Sequence, residues 1–323
     1  MKRHLIISCI SALTFVLFTA VIASAQVRPP VPRPSQKASV MQTIGTTDVT
    51  ITYSRPAVKG RPVFADPPAA MASRAKGEAT LDDQNKRQVG EPLVPYGHVW
   101  RAGANEATLF VVTDDVLVNG QPLAAGKYSM HAIPTKEGDW TIIFNKEDGQ
   151  WGSFSYDASK DALRVKVKAE TAADSQELLS YYFDPVTDTS ARVNLRWEKV
   201  RVPFNVEVKD VVAATMGHLR AFVAAGTPGD PAPALNAAMY AKSVKQMDDA
   251  NKWFEQAMKL NDAQIATKET FQNLTRKSTI LLQQGKMQDA LAAAERAVVV
   301  GKAGGVDTTA LEKRIADIKA GKQ

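Results

Sequence analysis

Leu163-Arg164-Val165-Lys166-Val167-Lys168 and Arg192-Val193-Asn194-Leu195-Arg196-Trp197 decide the fold class of this chain. In both, apolar residues alternate with charged or polar ones. Successive side chains of a strand point to opposite faces, so one face of each must be buried and the other wet. The same period continues outward on either side. It recurs at residues 40–44, in Val49, Ile51 and Tyr53 against Thr50, Thr52 and Ser54, and in short apolar runs at 109–112, 116–118, 128–133, 140–144, 178–183 and 202–208. Asn119-Gly120, between Val118 and Gln121, is the dipeptide of a type I′ hairpin. About ten short strands with turns and no helices between them predict a mainly β domain, an antiparallel β-sandwich or partly closed barrel rather than a parallel sheet.

At Asp210 the period changes, and Val211, Val212, Met216, Leu219 and Phe222 fall at helical spacing. Glycines and prolines at 226–233 break that helix. Beyond it, Ala250, Phe254 and Ala257 stand at i, i+4 and i+7, and Gly285, Ala290, Ala294 and Ala297 stand at the corresponding offsets. This is the spacing of tetratricopeptide repeats, whose alanines let two helices of a hairpin approach closely. The step from Ala250 to Ala290 exceeds the usual repeat of about 34 residues, so a small, degenerate tetratricopeptide-like α-helical tail is expected, docked on the β domain.

The N-terminus reads as an export signal. Lys2 and Arg3 precede an apolar run over 5–23, and Ala23-Ser24-Ala25 supplies a small-x-small cleavage site. A run of about 20 apolar residues could also anchor the chain in a bilayer. The cleavage tripeptide and the prolines that follow favour removal near Gln26, leaving no permanent membrane span and a periplasmic or secreted protein. The organisation expected is a signal peptide over 1–25, a Pro-rich linker over 26–38, the β domain over 39–208, a helix and linker over 209–233, and the helical-repeat tail over 234–323. Residues 65–92, with hardly a bulky apolar side chain, are expected to form a mobile surface insertion.

Composition narrows the chemistry. Cys9, the single cysteine, lies in the leader, so no disulfide, thiol nucleophile or cysteine metal site is expected. Lysine and arginine number 40 against 34 acids, a formal charge of +6, but the signs are interspersed. No block of them reads as a nucleic-acid or polybasic membrane patch. His98, His131 and His218 stand at no metal-ligand spacing, and there is no Walker loop, G-x-G-x-x-G turn or G-x-S-x-G elbow. Hence no metal, no cofactor and no catalytic residue is assigned.

What remains is a set of ligand-binding candidates: Arg55, Arg61, Tyr96, Trp100, Arg101, Asn105, Glu106 and His131. Guanidinium forks beside aromatic faces and turn residues suit a carboxylate, phosphate or sugar-like ligand. The same residues admit a structural reading, with Arg101 and Glu106 as an ion pair, Asn105 capping a turn and Trp100 in the core. Trp151, Phe154 and Tyr156 fit either an exposed rim or core packing. His131 fits either a general base oriented by Glu106 or Asp115, or a satisfied strand histidine.

The segments Tyr53-Ser54-Arg55-Pro56-Ala57-Val58-Lys59-Gly60-Arg61, Leu93-Val94-Pro95-Tyr96-Gly97-His98-Val99-Trp100-Arg101-Ala102-Gly103-Ala104-Asn105-Glu106-Ala107-Thr108, Leu123-Ala124-Ala125-Gly126-Lys127-Tyr128-Ser129, Trp140-Thr141-Ile142-Ile143-Phe144-Asn145 and Trp151-Gly152-Ser153-Phe154-Ser155-Tyr156 together resemble the exported bacterial proteins of domain-of-unknown-function family 2911 (DUF2911). The resemblance covers residues 40 to about 208, and the helical tail after Ala234 is similar to one commonly attached to that family. The insertion at 65–92 departs from the family pattern. The resemblance implies an exported β domain and no particular reaction. Two functions are therefore carried forward. The first is an envelope protein of unknown activity, non-catalytic, whose β domain binds a small anionic or sugar-like ligand while its tail contacts a protein or peptide. The alternative is a hydrolase-like enzyme using His131 or Glu106 in a pocket of the β domain.

Overall fold

Alternation at period two is satisfied in the structure by two sheets packed face to face. The computed structural model describes residues 31–73, 80–81 and 87–320. The leader over 1–25, the linker as far as residue 30 and positions 74–79 and 82–86 of the insertion lie outside the described residues. The chain divides into two units, Met1–Pro34 and Ser35–Gln323; of the first, residues 31–34 are irregular and exposed.

The strands of the second unit are β1 (Gln36–Ile44), β2 (Thr47–Arg55), β3 (Phe64–Ala65), β4 (Val94–Pro95), β5 (Thr108–Val112), β6 (Val116–Val118), β7 (Gln121–Leu123), β8 (Gly126–Ile133), β9 (Trp140–Asn145), β10 (Asp161–Val167), β11 (Glu170–Val186) and β12 (Ser190–Glu207). A six-stranded sheet in the order β1-β2-β5-β8-β9-β10 packs on a four-stranded sheet in the order β11-β12-β6-β7. Their pairings are antiparallel, and neither sheet closes on itself, which makes the domain a sandwich rather than a barrel. The core is where the two inner faces meet: Phe110 and Phe144 lie 4.9 Å apart edge to face, and Phe204 of the second sheet reaches Phe144 at 6.0 Å. Burying each such ring contributes roughly 1.5–3 kcal/mol.

Three local findings refine the sequence reading. Asn119 and Gly120 both take positive φ, 46° and 77°, as a type I′ turn requires. Residues 193–197 and 202–208, read as two strands, fall on the single β12 as far as Glu207, and β12 bends where Glu198 adopts φ 51° without leaving the ladder. β3 and β4 pair in parallel, and two-residue strands are too short to carry a periodic signal.

The insertion carries anchors that its composition did not advertise. Helix α1 (Ala69–Ala72) includes the fully buried Met71, and Leu81 is also buried. An isolated apolar residue in a polar segment has no period to reveal it, yet it can still plug a core.

The tail begins with α2 (Val211–Ala224), whose first turn is capped by Asp210 accepting from the Ala213 N–H at 2.8 Å. Two antiparallel hairpins follow, α3 (Ala232–Ser243) with α4 (Met247–Thr267) and α5 (Phe271–Gln283) with α6 (Met287–Ala303), and then α7 (Thr309–Lys319). The alanines named above, Ala250, Ala257, Ala290, Ala294 and Ala297, are buried between the helices. Lys245 and Gly285, at φ 61° and 77°, occupy equivalent places in the two hairpin turns.

Helix α2 ties the tail to the sandwich. Thr46 and Thr215 share a hydroxyl hydrogen bond of 3.2 Å, and His218 Nε2 meets Asp114 Oδ1 at 2.8 Å. Gly45, in the β1–β2 turn at φ +62°, lets Val211 approach so closely that a Cβ would stand 2.4 Å from its Cγ1. Gly45→Ala is expected to cost about 2 kcal/mol, from left-handed strain plus overpacking. Denaturant unfolding checks it: Val211→Ala in the same chain should recover the packing part only, and a loss below about 0.5 kcal/mol would show that this contact yields freely.

Candidate functional site

Inner-facing Tyr128, Met130 and Ala132 of β8 oblige Ser129, His131 and Ile133 to face outward. The same rule turns Thr141, Ile143 and Asn145 of β9 and Arg164 and Lys166 of β10 to the outer face of the six-stranded sheet. This face is nevertheless covered, because residues 146–160 fold back over it. The Ala107 N–H donates to Gln150 O and the Gly152 N–H to Asn105 O, both at 2.9 Å, and Glu106 bridges to Trp151. Glycine is required where the two segments touch: at Gly152, φ +67°, a Cβ would lie 2.9 Å from Arg101 Nη2 and 3.1 Å from Phe154 Cε2.

Under this cover lies a connected polar layer. His131, at 0% exposure, has Nε2 3.0 Å from Ser129 Oγ and Nδ1 3.1 Å from Ser153 Oγ. Its ring lies 5.1 Å from that of Tyr156. Asp161 accepts from the Tyr156 hydroxyl at 2.7 Å, Arg164 Nε at 2.7 Å and Asn145 Nδ2 at 2.8 Å, while Arg164 Nη2 donates to the Tyr156 oxygen at 2.8 Å. Burial first, and then the Asp161 carboxylate, holds the Tyr156 phenol protonated well above its ordinary range, so it does not serve as a base near neutrality. Arg101 Nη1 donates to Asn105 O at 2.7 Å, with its guanidinium 5.5 Å from the centre of the Phe154 ring.

Two cavities flank the turn at 148–150. One, of about 160 Å³, is floored by Thr52, Ser54 and Leu109 and walled by Lys37, Glu106, Ala107 and the turn itself. The other, of about 620 Å³, is an open depression with Lys146, Glu147, Trp151, Ser155 and Lys160 around it. Gln150 lines both, and is 6% exposed. Its Nε2 donates to Glu147 O at 3.2 Å, but its buried Oε1 receives no hydrogen bond. A buried acceptor without a donor costs about 1–3 kcal/mol, so a native fold that keeps one calls for an explanation.

The eight candidate residues do not converge. Glu106 lines the smaller cavity, and Arg101 and Asn105 hold the segment beside it. His131 lies in the polar layer and lines neither cavity. Trp100 is in the sandwich core, stacked 6.0 Å from Trp197 with Nε1 donating to Gly103 O at 3.1 Å, so this candidate packs between the sheets and lines neither cavity. Arg55 points to the second sheet, where Nε donates to Leu179 O at 2.9 Å. Arg61 turns back on its own loop, bonding Val58 O and Ala57 O. Tyr96 borders a separate groove with Lys136 and Lys168. Arg101 and Asn105 have backbone partners that spacing alone could not name. Lys37, Ser54 and Gln150 were not among the ligand-binding candidates, although the outward period of β1 and β2 places Lys37 and Ser54 side by side.

The family model described as a protein of unknown function, DUF2911, matches residues 82–206. The match spans 125 of the 323 residues. No curated protein and no solved structure matches the chain. The DUF2911 match starts after β1 and β2, which the resemblance in sequence includes, yet those strands complete the six-stranded sheet and supply four of the ten residues lining the smaller cavity. Among the described residues, no group of three histidine, cysteine or acidic side chains could hold a metal, and no helix is long and apolar enough to cross a membrane.

Proposed function

We propose that this protein is exported and acts as a non-catalytic binding module, with its ligand in the 160 Å³ cavity between β1, β2, β5 and the 148–150 turn. The observation that carries this reading is Gln150, a buried amide beside that cavity whose Oε1 lacks a donor. A small recess lined by apolar surface and a few polar groups is what ligand sites are made of. The groups suited to acid–base work favour binding over catalysis. His131 is buried between two serine hydroxyls and Tyr156 is committed to Asp161, whereas a general base must reach the proton it takes. A hydrolase using His131 with Glu106 would need both on one cavity, and only Glu106 borders this one. Export to the periplasm or beyond rests on the charged start and the Ala23-Ser24-Ala25 site. The tail, with alanine-packed hairpins of tetratricopeptide type, is the part suited to a protein or peptide partner.

A thermal-shift screen of the chain from Gln26 against amino acids, neutral sugars and phosphate tests the binding reading, because a ligand taken only by the native state raises apparent stability. At least one class is expected to raise Tm, and Lys37→Ala should remove that gain. No shift with any class at millimolar concentration would overturn the reading.

A further inference from the structure

We infer that the ligand of this cavity is a small zwitterion, a free α-amino acid with a short side chain; this rests on the binding reading above. The register places the cavity's polar groups. Lys37 pairs with Ser54 across β1 and β2, and Thr52 pairs with Leu109 across β2 and β5, so Lys37, Ser54, Thr52 and Leu109 share the outer face. Opposite stand Asp148, Gln150 and Glu106 from the covering segments. The cavity therefore has a cation on one wall, carboxylates on the other, and the hydroxyls of Thr52 and Ser54 beside Leu109 between them. Lys37 is exposed and makes no ion pair among the described residues, and neither does Asp148, so the two charges are not spent on each other. A ligand of a single sign would meet repulsion from one wall, and a neutral sugar would leave both charges unanswered. A zwitterion answers both, its carboxylate toward Lys37 and Ser54, its ammonium toward Asp148 and Glu106. A space of about 160 Å³ is roughly five waters' worth at about 30 Å³ each, room for one small amino acid and not for a longer peptide.

Isothermal titration of the chain from Gln26 with glycine, L-alanine and L-serine tests this, with propionate, ethylamine, glucose and inorganic phosphate as comparisons. L-alanine should bind about tenfold or more tightly than propionate or ethylamine, each of which keeps one of its two charges. Lys37→Ala, an exposed change on an edge strand, should weaken L-alanine about tenfold while leaving ethylamine as it was; Asp148→Asn should weaken ethylamine and spare propionate. Propionate or ethylamine binding as tightly as L-alanine overturns the inference. If glucose or phosphate binds in a Lys37-dependent way and amino acids do not, the binding reading stands and the zwitterion falls. If none of these probes binds, both fall.

Discussion

Trp100→Ala is expected to lower the unfolding free energy by about 3–5 kcal/mol, the range for removing a buried tryptophan. The indole stacks on Trp197, meets Phe64 edge-on at 5.9 Å and donates from Nε1 to Gly103 O. Its backbone exchanges two hydrogen bonds of 2.8 Å with Ala132, which pins the segment before β5 to β8. Alanine would leave a cavity between the sheets and an unpaired carbonyl at Gly103. Guanidinium unfolding followed by circular dichroism measures the loss. A cost under about 1 kcal/mol would return Trp100 to the role of a cavity wall, because a side chain lining an open site leaves little behind when it is trimmed.

Asp161→Ala should cost about 3 kcal/mol, at the low end for breaking a buried pair. The carboxylate, 10% exposed, gathers Tyr156, Asn145 and Arg164; its loss leaves the Tyr156 hydroxyl and Arg164 Nε without their acceptor, while Asn145 keeps its bond to Asp157 O. Arg164 keeps 34% exposure, so water recovers part of the penalty. Arg164→Met added to Asp161→Ala should restore part of the stability, since the uncompensated guanidinium goes with it. The same substitution should bring the Tyr156 phenol down toward its ordinary titration range, as one of the causes of its rise is that carboxylate. The sign follows: the folded form holds the phenol proton more tightly than the unfolded chain, so this contribution to stability is complete below about pH 10 and fades as pH rises through the folded value. Additive single-mutant losses, with no recovery in the double, would show that Asp161 and Arg164 act independently.

Much of the fold was legible before any coordinates. The alternation in β2, β10 and β12 is a local property, decided by which side chains can face water, and it survives whatever the strands later pair with. The Asn119-Gly120 turn was equally legible, since few other dipeptides tolerate two successive positive φ values. The helical break at 226–233 is local chemistry of the same kind. Short or isolated features escaped. β3 and β4 have no period at two residues each, and Met71 and Leu81 are single apolar residues in a polar stretch. The candidate site was the least legible part. Arg55, Arg61 and Tyr96 share a composition with Arg101 and Glu106, but composition does not say which face a residue takes or which loop returns to cover it.

The sequence by itself determined that this is an antiparallel β domain followed by alanine-packed helices, because periodicity and turn chemistry each act over a few residues. Only the tertiary structure decided that Trp100 belongs to the core, that His131 is enclosed between Ser129 and Ser153, and that Lys37, Ser54, Glu106 and Gln150 share one cavity. Those outcomes depend on strand register and on a loop folding back across a sheet, and contacts between residues far apart in the chain are set by the global packing that no local window contains.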